Sequence, residues 1–150
     1  MSLDARATLD ALAASLAAAM PGRIVVRGVR MPGSPMPGGG VMDDDALRQG
    51  VVCLAATDMG DWQTHYQREG ENGTLQFVVV FYGRLPIAAN ENDTEAVENL
   101  ELQALNELLA WAQTVKPEPI DAVYPKKASF SQGLDAPVAW LVLTLEALYV

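Results

Sequence analysis

The chain has 150 residues, half of them apolar and 19% charged, a composition typical of a globular protein long enough to bury a core. Its 19 acidic and 10 basic residues give a net charge of −9, which argues against nucleic-acid recognition and against an anionic membrane surface. The single cysteine, Cys53, excludes an intrachain disulfide, and no apolar run is long enough to span a bilayer.

The N-terminal segment predicts a helix followed by a short strand. Apolar residues recur at three- and four-residue steps from Leu3 to Met20, which places them on one helical stripe. Pro21-Gly22 ends this helix. From Arg23 to Arg30 the sequence alternates as a strand does.

A long segment rich in proline and glycine follows. Residues Met31 to Gly50 predict a loop of about twenty residues, and loops of that length are usually functional or disordered. Met31 and Met36 suit an arm that docks on a partner, although a plain surface loop fits equally well. The run Asp43-Asp44-Asp45 lacks the spaced ligands of a calcium loop and fits better as a solvated loop run that could cap a short turn at Ala46.

The central third predicts strands separated by turns. Val51 to Thr57 is a strand, Asp58 to Asp61 a turn, and Trp62 to Arg68 a possible strand. Glu69 to Gly73 predicts a tight turn because Asn-Gly tolerates positive φ. Thr74 to Gly83 is then a strand with apolar residues on both faces.

The last third predicts a helix and two strands. The helix begins near Asn92 or Asp93, either of which can cap it, and it ends at Pro117. Ala122 to Phe130 and Pro137 to Val150 are strands, and the second is apolar on both faces. Two helices cover only one face of a sheet, so the other face needs a folded-over layer or a second subunit.

We therefore expect one α+β domain over residues 1–150. Its mixed or antiparallel sheet has about five or six strands, with two main helices packed on it. The loop over residues 31–50 is expected to be flexible.

No pattern of residues indicates catalysis, a cofactor or a metal site. The glycines match neither a phosphate loop nor a dinucleotide fingerprint, and one cysteine with one histidine cannot form a usual zinc site. A triad of His65 with Ser129 or Ser131 and Asp58 or Asp61 has no local signature. The carboxylates of Glu91, Glu95, Glu98 and Glu101 are explained by the helix dipole.

Large apolar side chains suggest a subunit interface instead. Trp111 lies on the apolar stripe of the second helix and is expected in the core. Exposed aromatic residues are common anchors of interfaces. The candidate interface residues are Met31, Met36, Trp62, Tyr66, Trp140 and Val142.

The element order resembles the tail-terminator and minor-tail-protein-U-like family of tailed bacteriophages and prophages. Three stretches carry the resemblance: Leu9 to Val29, Leu75 to Ala112, and Phe130-Ser131-Gln132-Gly133 continuing through Pro137 to Tyr149. Tail-completion and neck proteins of similar size share this order. The resemblance implies a sheet flanked by helices and no catalytic residues.

The resemblance also implies a role in virion assembly. Such proteins form a homo-oligomeric ring, often hexameric, that stops growth of the tail tube and provides the surface for head joining. The implied partners are further copies of this chain, the tail tube protein and head–tail connector proteins, in a virion tail assembled in the bacterial cytoplasm. Two alternatives stay open: a small enzyme or ligand-binding domain with a pocket under residues 31–50, and a secretion-apparatus protein of the same fold.

Overall fold

A five-stranded mixed sheet with helices on both faces forms the fold. The computed structural model describes residues 4–64, 71–115 and 117–149, without the side chains of residues 61–64 and 71–72. The strands are β1 (Ile24–Arg27), β2 (Val51–Thr64), β3 (Glu71–Arg84), β4 (Ile120–Phe130) and β5 (Val138–Tyr149). The helices are α1 (Ala5–Ala19), α2 (Asp44–Gln49) and α3 (Thr94–Thr114).

The strand order across the sheet is β1-β2-β3-β5-β4. Only β1 and β2 run parallel, and the other neighbours are antiparallel. The predicted α+β class, mixed sheet and two main helices are therefore confirmed. The short strand β1 and the longer strand β4 form the two edges.

One face of the sheet, the helix face, is fully covered by α1 and α3. The alternate residues Leu75, Phe77, Val79 and Phe81 of β3 are all buried there, as the period-two pattern predicts. On β5 the same face carries Ala139, Leu141, Leu143, Leu145, Ala147 and Tyr149. The predicted core residue Trp111 packs edge-to-face on Phe77, with ring centroids 6.5 Å apart, and its indole N–H donates to Ser15 Oγ on α1 at 3.1 Å.

The opposite face, here called the second face, is only partly covered. The segment from Gly28 to Gly50, which includes α2, folds over β1, β2 and one end of β3. Beneath it lies a smaller buried cluster formed by Val26, Met42, Leu47, Val51, Cys53, Val80 and Tyr82. The second-face residues of β5 stay half-exposed along its length. The predicted shortage of covering layers is thus real for the β5 side of this face.

The segment predicted as a featureless loop contains a short helix. Asp43 accepts a hydrogen bond from the Ala46 amide at 2.9 Å and so caps the start of α2. Gly50 ends the helix at φ 95°, a conformation that other residues rarely adopt. Asp44 and Asp45 form ion pairs with Arg84 at 3.6 Å and Arg48 at 3.3 Å, which accounts for the acidic run without a cation.

The turn predicted at Asp58 to Asp61 is wrong. Strand β2 continues through these residues, because pairing with β3 on one side keeps them extended despite their weak strand propensity. The register shifts between Ala56 and Asp58 and again between Gly60 and Gln63, so the turn-forming residues produce bulges rather than a reversal. The turn predicted at Glu69 to Gly73 is also wrong for Glu71 to Gly73, which belong to β3, while Glu69 and Gly70 lie outside the described residues.

The helix α3 begins after Asp93, one of the two residues predicted to cap it. Asp93, rather than Asn92, accepts the capping hydrogen bond from the Ala96 amide at 3.0 Å. The last helical residue is Thr114, and Pro117 follows within three residues, as predicted. Among the described residues, no helix is long and apolar enough to cross a membrane.

Candidate self-association site

An apolar groove of about 600 Å³ opens on the second face, between β5 and the start of the covering segment. It exists because the covering segment folds over β1, β2 and one end of β3, while the second-face residues of β5, some of which pack against the cluster beneath that segment, remain partly exposed. Most of its walls are apolar or aromatic, and only one charged side chain contributes. The lining residues are Met31, Pro32, Val80, Tyr82, Asp135, Val138, Trp140 and Val142.

Three candidate interface residues, which come from two distant parts of the sequence, meet in this groove. Met31 comes from the covering segment, and Trp140 and Val142 come from alternate positions of β5. Met31 is 64% exposed, and its sulfur lies 3.6 Å from the Tyr82 hydroxyl. The side chains of Trp140 and Val142 are half-exposed.

The other three candidates stand differently. Met36, like Trp140 and Val142, packs against the chain's own cluster under the covering segment, but it does not line the groove. Trp62 belongs to β2, but its side chain lies outside the described residues. Tyr66 and the only histidine, His65, also lie outside them. An intersubunit contact at any of these residues stays a prediction.

A carboxylate at the rim of the groove orients the tryptophan. The indole N–H of Trp140 donates to Asp135 Oδ2 at 2.7 Å, which fixes the ring against the wall. Asp135 is exposed and forms no ion pair with the described side chains. The groove therefore combines an apolar floor with one unpaired negative charge.

A fully buried glutamate, missed by the sequence analysis, supports this wall from the helix face. Glu101 of α3 is 0% exposed, and its Oε2 accepts hydrogen bonds from Ser131 Oγ at 2.5 Å and from the Trp140 amide at 3.1 Å. Oε1 has no hydrogen-bond partner among the described residues. Ser131 Oγ in turn accepts from the Gly133 amide at 3.2 Å, so one carboxylate fixes the turn from β4 into β5.

The sequence held a signal for this role. Glu101 lies four residues after Val97 and three before Ala104, both of them buried, and so falls on the apolar stripe of α3. The helix dipole does not explain a side chain on that stripe. Gly133 fits the same tight turn, since its φ is 72° and an added Cβ would lie 2.7 Å from Thr94 Cγ2.

Two loops beside the groove carry exposed apolar residues that the sequence analysis did not single out. Ile87 is 82% exposed and Leu134 is 81% exposed. Their loops leave the same end of the sheet, where the Leu85 amide donates to the Pro137 carbonyl at 3.1 Å. This end of the protein therefore extends the apolar surface beyond the groove.

A separate cavity of about 660 Å³ lies between α3 and β4. Its walls mix Glu98, Ser129 and Gln132 with a few apolar side chains, so it offers no continuous apolar surface. No group of three metal-ligating side chains occurs among the described residues.

Burial makes Cys53 a probe of the second face. Desolvation raises the pKa of its thiol, outweighing the opposing effect of Arg30, and burial likewise raises the pKa of Tyr82. The thiolate is the reactive form, so a maleimide at pH 8 should label Cys53 at least about 100-fold more slowly in the folded protein than in urea. Labelling at equal rates would contradict the described cover over β2.

The raised pKa of the Cys53 thiol also makes the free energy of unfolding depend on pH. Above about pH 8.5 the unfolded chain loses the Cys53 proton before the folded chain does. The contribution of the protonated Cys53 thiol to the free energy of unfolding is therefore complete below that pH and declines as the pH rises above it. Urea denaturation from pH 7 to pH 10 should show a steeper decline for the wild type than for Cys53→Ala. Parallel curves would contradict this assignment.

No protein-family model matches the chain, and no curated protein matches it. Among solved structures, the chain is similar to a chain of the structure described as "Virion of native gene transfer agent (GTA) particle". The two share 13% sequence identity with a TM-score of 0.46, and 98% of each chain is covered. A likeness at that TM-score decides neither the fold nor the function of this chain.

Proposed function

We propose that this chain is a structural protein of a phage-type particle and that it acts through contacts between copies of itself. In its specific form, the proposal is a tail terminator or tail-completion factor of prophage origin. A ring of copies, often hexameric in the family that the sequence resembles, would close the tail tube, stop its growth and present the surface for head joining. Its other partners would be the tail tube protein and the head–tail connector proteins.

The groove formed by Met31, Trp140 and Val142 is the observation that carries this proposal. A half-buried tryptophan beside a methionine that is 64% exposed gives the groove an accessible apolar surface, and such surfaces can mark interaction sites. Aromatic residues and methionine are enriched at the cores of interfaces. The groove therefore suits an apolar occupant that also carries a positive charge towards Asp135.

The edges of the sheet favour side-chain contacts over continuation of the sheet into a neighbour. Edge strand β4 carries Pro125, which donates no hydrogen bond, and its register shifts at two places. Lys126 and Lys127 are exposed on the same edge. A contact that joins different surfaces of successive copies can close into a ring, as the proposed role requires.

Electron microscopy with tail tubes tests the proposed role. We expect the purified protein to form closed rings and, when added to assembling tube protein, to cap tube ends and shorten the length distribution. Tubes of unchanged length and uncapped ends would contradict the terminator role. Rings that form but bind no tube would leave self-association intact and reject only the terminator role.

A small-molecule site is the second candidate, because the groove volume falls in the range of ligand pockets. The aromatic rings of Tyr82 and Trp140 and the carboxylate of Asp135 would orient such a ligand. A thermal-shift screen separates the two functions. A specific ligand that raises the melting temperature of the wild type, but not of Trp140→Ala, would favour binding. No such ligand is expected if the groove takes a protein segment.

A further inference from the structure

We infer that the β4 edge of a second copy occupies the groove, with Tyr124 against the apolar walls and Lys127 against Asp135. This inference rests on the proposed self-association and names its two contact surfaces. The occupant surface, here called the basic edge, consists of Tyr124, Lys126 and Lys127.

Charge distribution selects this edge as the occupant. The chain carries a net charge of −9, so copies repel each other unless a contact brings opposite charges together. Arg23, Arg27, Arg48 and Arg84 already pair with carboxylates of their own chain. Of the other described arginines, Arg30 donates to the Arg27 carbonyl at 3.1 Å, and Arg6 lies on α1, on the other side of the sheet. Lys127 is exposed and forms no ion pair with the described side chains, which makes its charge free to meet Asp135.

The aromatic residue of the basic edge suits the groove. Tyr124 is 46% exposed, so a large part of its ring is accessible to a second copy. Lys126 lies 5.8 Å from the centroid of the Tyr124 ring and 3.9 Å from Glu146 Oε1, so its charge and the ring position are fixed within the chain. Tyrosine loses little conformational entropy on docking, and its hydroxyl can remain hydrated at the rim of the groove.

The position of the two surfaces permits a repeating contact. The groove lies at the beginning of β5, around Trp140, while Lys127 and Tyr124 pair with Thr144 and Glu146 farther along the same strand. Pro125 and the bulges prevent the edge from extending a neighbour's sheet, so its side chains make the contact. Because the second copy enters the groove through its β4 edge, its own groove stays open to the β4 edge of a third copy.

Charge reversal tests the inference directly. We expect Lys127→Asp and Asp135→Lys each to weaken self-association about tenfold or more, because each places like charges together. An equal mixture of the two variants should recover association to within about threefold of the wild type, since every contact between alternating copies then joins opposite charges again. Sedimentation velocity in low salt measures all four samples.

Two controls separate charge from other effects. Arg6→Glu reverses a charge on α1, on the other side of the sheet, and should leave association unchanged. Asp135→Asn keeps an acceptor for the Trp140 indole and should weaken association less than Asp135→Lys does. Both charge-reversed residues are exposed, and circular dichroism checks that the variants fold.

The outcomes distinguish this inference from the proposed function. Single variants that associate like the wild type, or a mixture that recovers nothing, would overturn the pairing of Lys127 with Asp135 and leave self-association standing. A wild-type chain that never associates would overturn both. Recovery in the mixture alone would support the inference, because it requires the two positions to meet between copies.

Discussion

Replacing Trp140 by alanine will weaken self-association about 30-fold while changing the free energy of unfolding by only about 1–2 kcal/mol. The side chain is half-exposed and lines the groove, so a single copy gains only part of the stabilisation that full burial would give. In an assembly the ring would be covered by the neighbour and would act as an anchor. Sedimentation velocity and urea denaturation measure the two effects separately.

The matched control is Phe77→Ala on the helix face. Phe77 is 0% exposed and packs on Trp111, so its truncation should lower the free energy of unfolding by about 3–5 kcal/mol. If Trp140→Ala is as destabilising as Phe77→Ala and leaves association unchanged, the groove belongs to the core rather than to an interface. That pair of results would contradict the account of the second face.

Replacing Glu101 by alanine will lower the free energy of unfolding by about 2–4 kcal/mol. The change leaves the Ser131 hydroxyl and the Trp140 amide without their acceptor and opens a cavity beside α3. Relief from burying a carboxylate offsets part of this loss. We also expect weaker association, because the amide of Trp140 is one of the two points that fix the groove wall.

Glu101→Gln is the matched variant for this prediction. Its side-chain oxygen can accept the same two hydrogen bonds, so we expect a loss of about 1 kcal/mol or less and near-normal association. Urea denaturation compares the variants under one condition. Equal stability of Glu101→Ala and the wild type would show that the buried carboxylate contributes nothing net to the fold.

The fold was predictable where one local pattern decides the structure. Period-two alternation placed β3 and β5 correctly, because every helix-face residue of β5 is apolar. The apolar stripe and the acidic cap located α3 at both ends. These signals need no knowledge of distant partners.

The errors arose where distant contacts override local preference. Residues 58–61 favour a turn by composition, yet backbone pairing of β2 with β3 keeps them extended and converts the turn signal into bulges. The helix α2 has only six residues, too few for a periodic signal, although Asp43 supplied the cap that starts it.

Three residues that line the groove were singled out from the sequence, but the groove itself was not, and an interface at these residues stays a prediction. Met31, Trp140 and Val142 stood out as apolar residues without an evident cover, but only the folded chain brings Met31 to β5. Asp135 and Glu101 were missed because their roles depend on hydrogen bonds to Trp140 across 5 and 39 residues. A polar residue at a stripe position, such as Glu101, is the sequence signal to look for.

Sedimentation velocity of the wild-type chain over a concentration series tests the central claim most directly. The second-face residues of β5 remain partly exposed beside the groove, so the weight-average sedimentation coefficient should rise with concentration towards a discrete assembly, and Trp140→Ala should shift that rise to higher concentration. A single monomer boundary that stays unchanged up to the highest soluble concentration would contradict the claim.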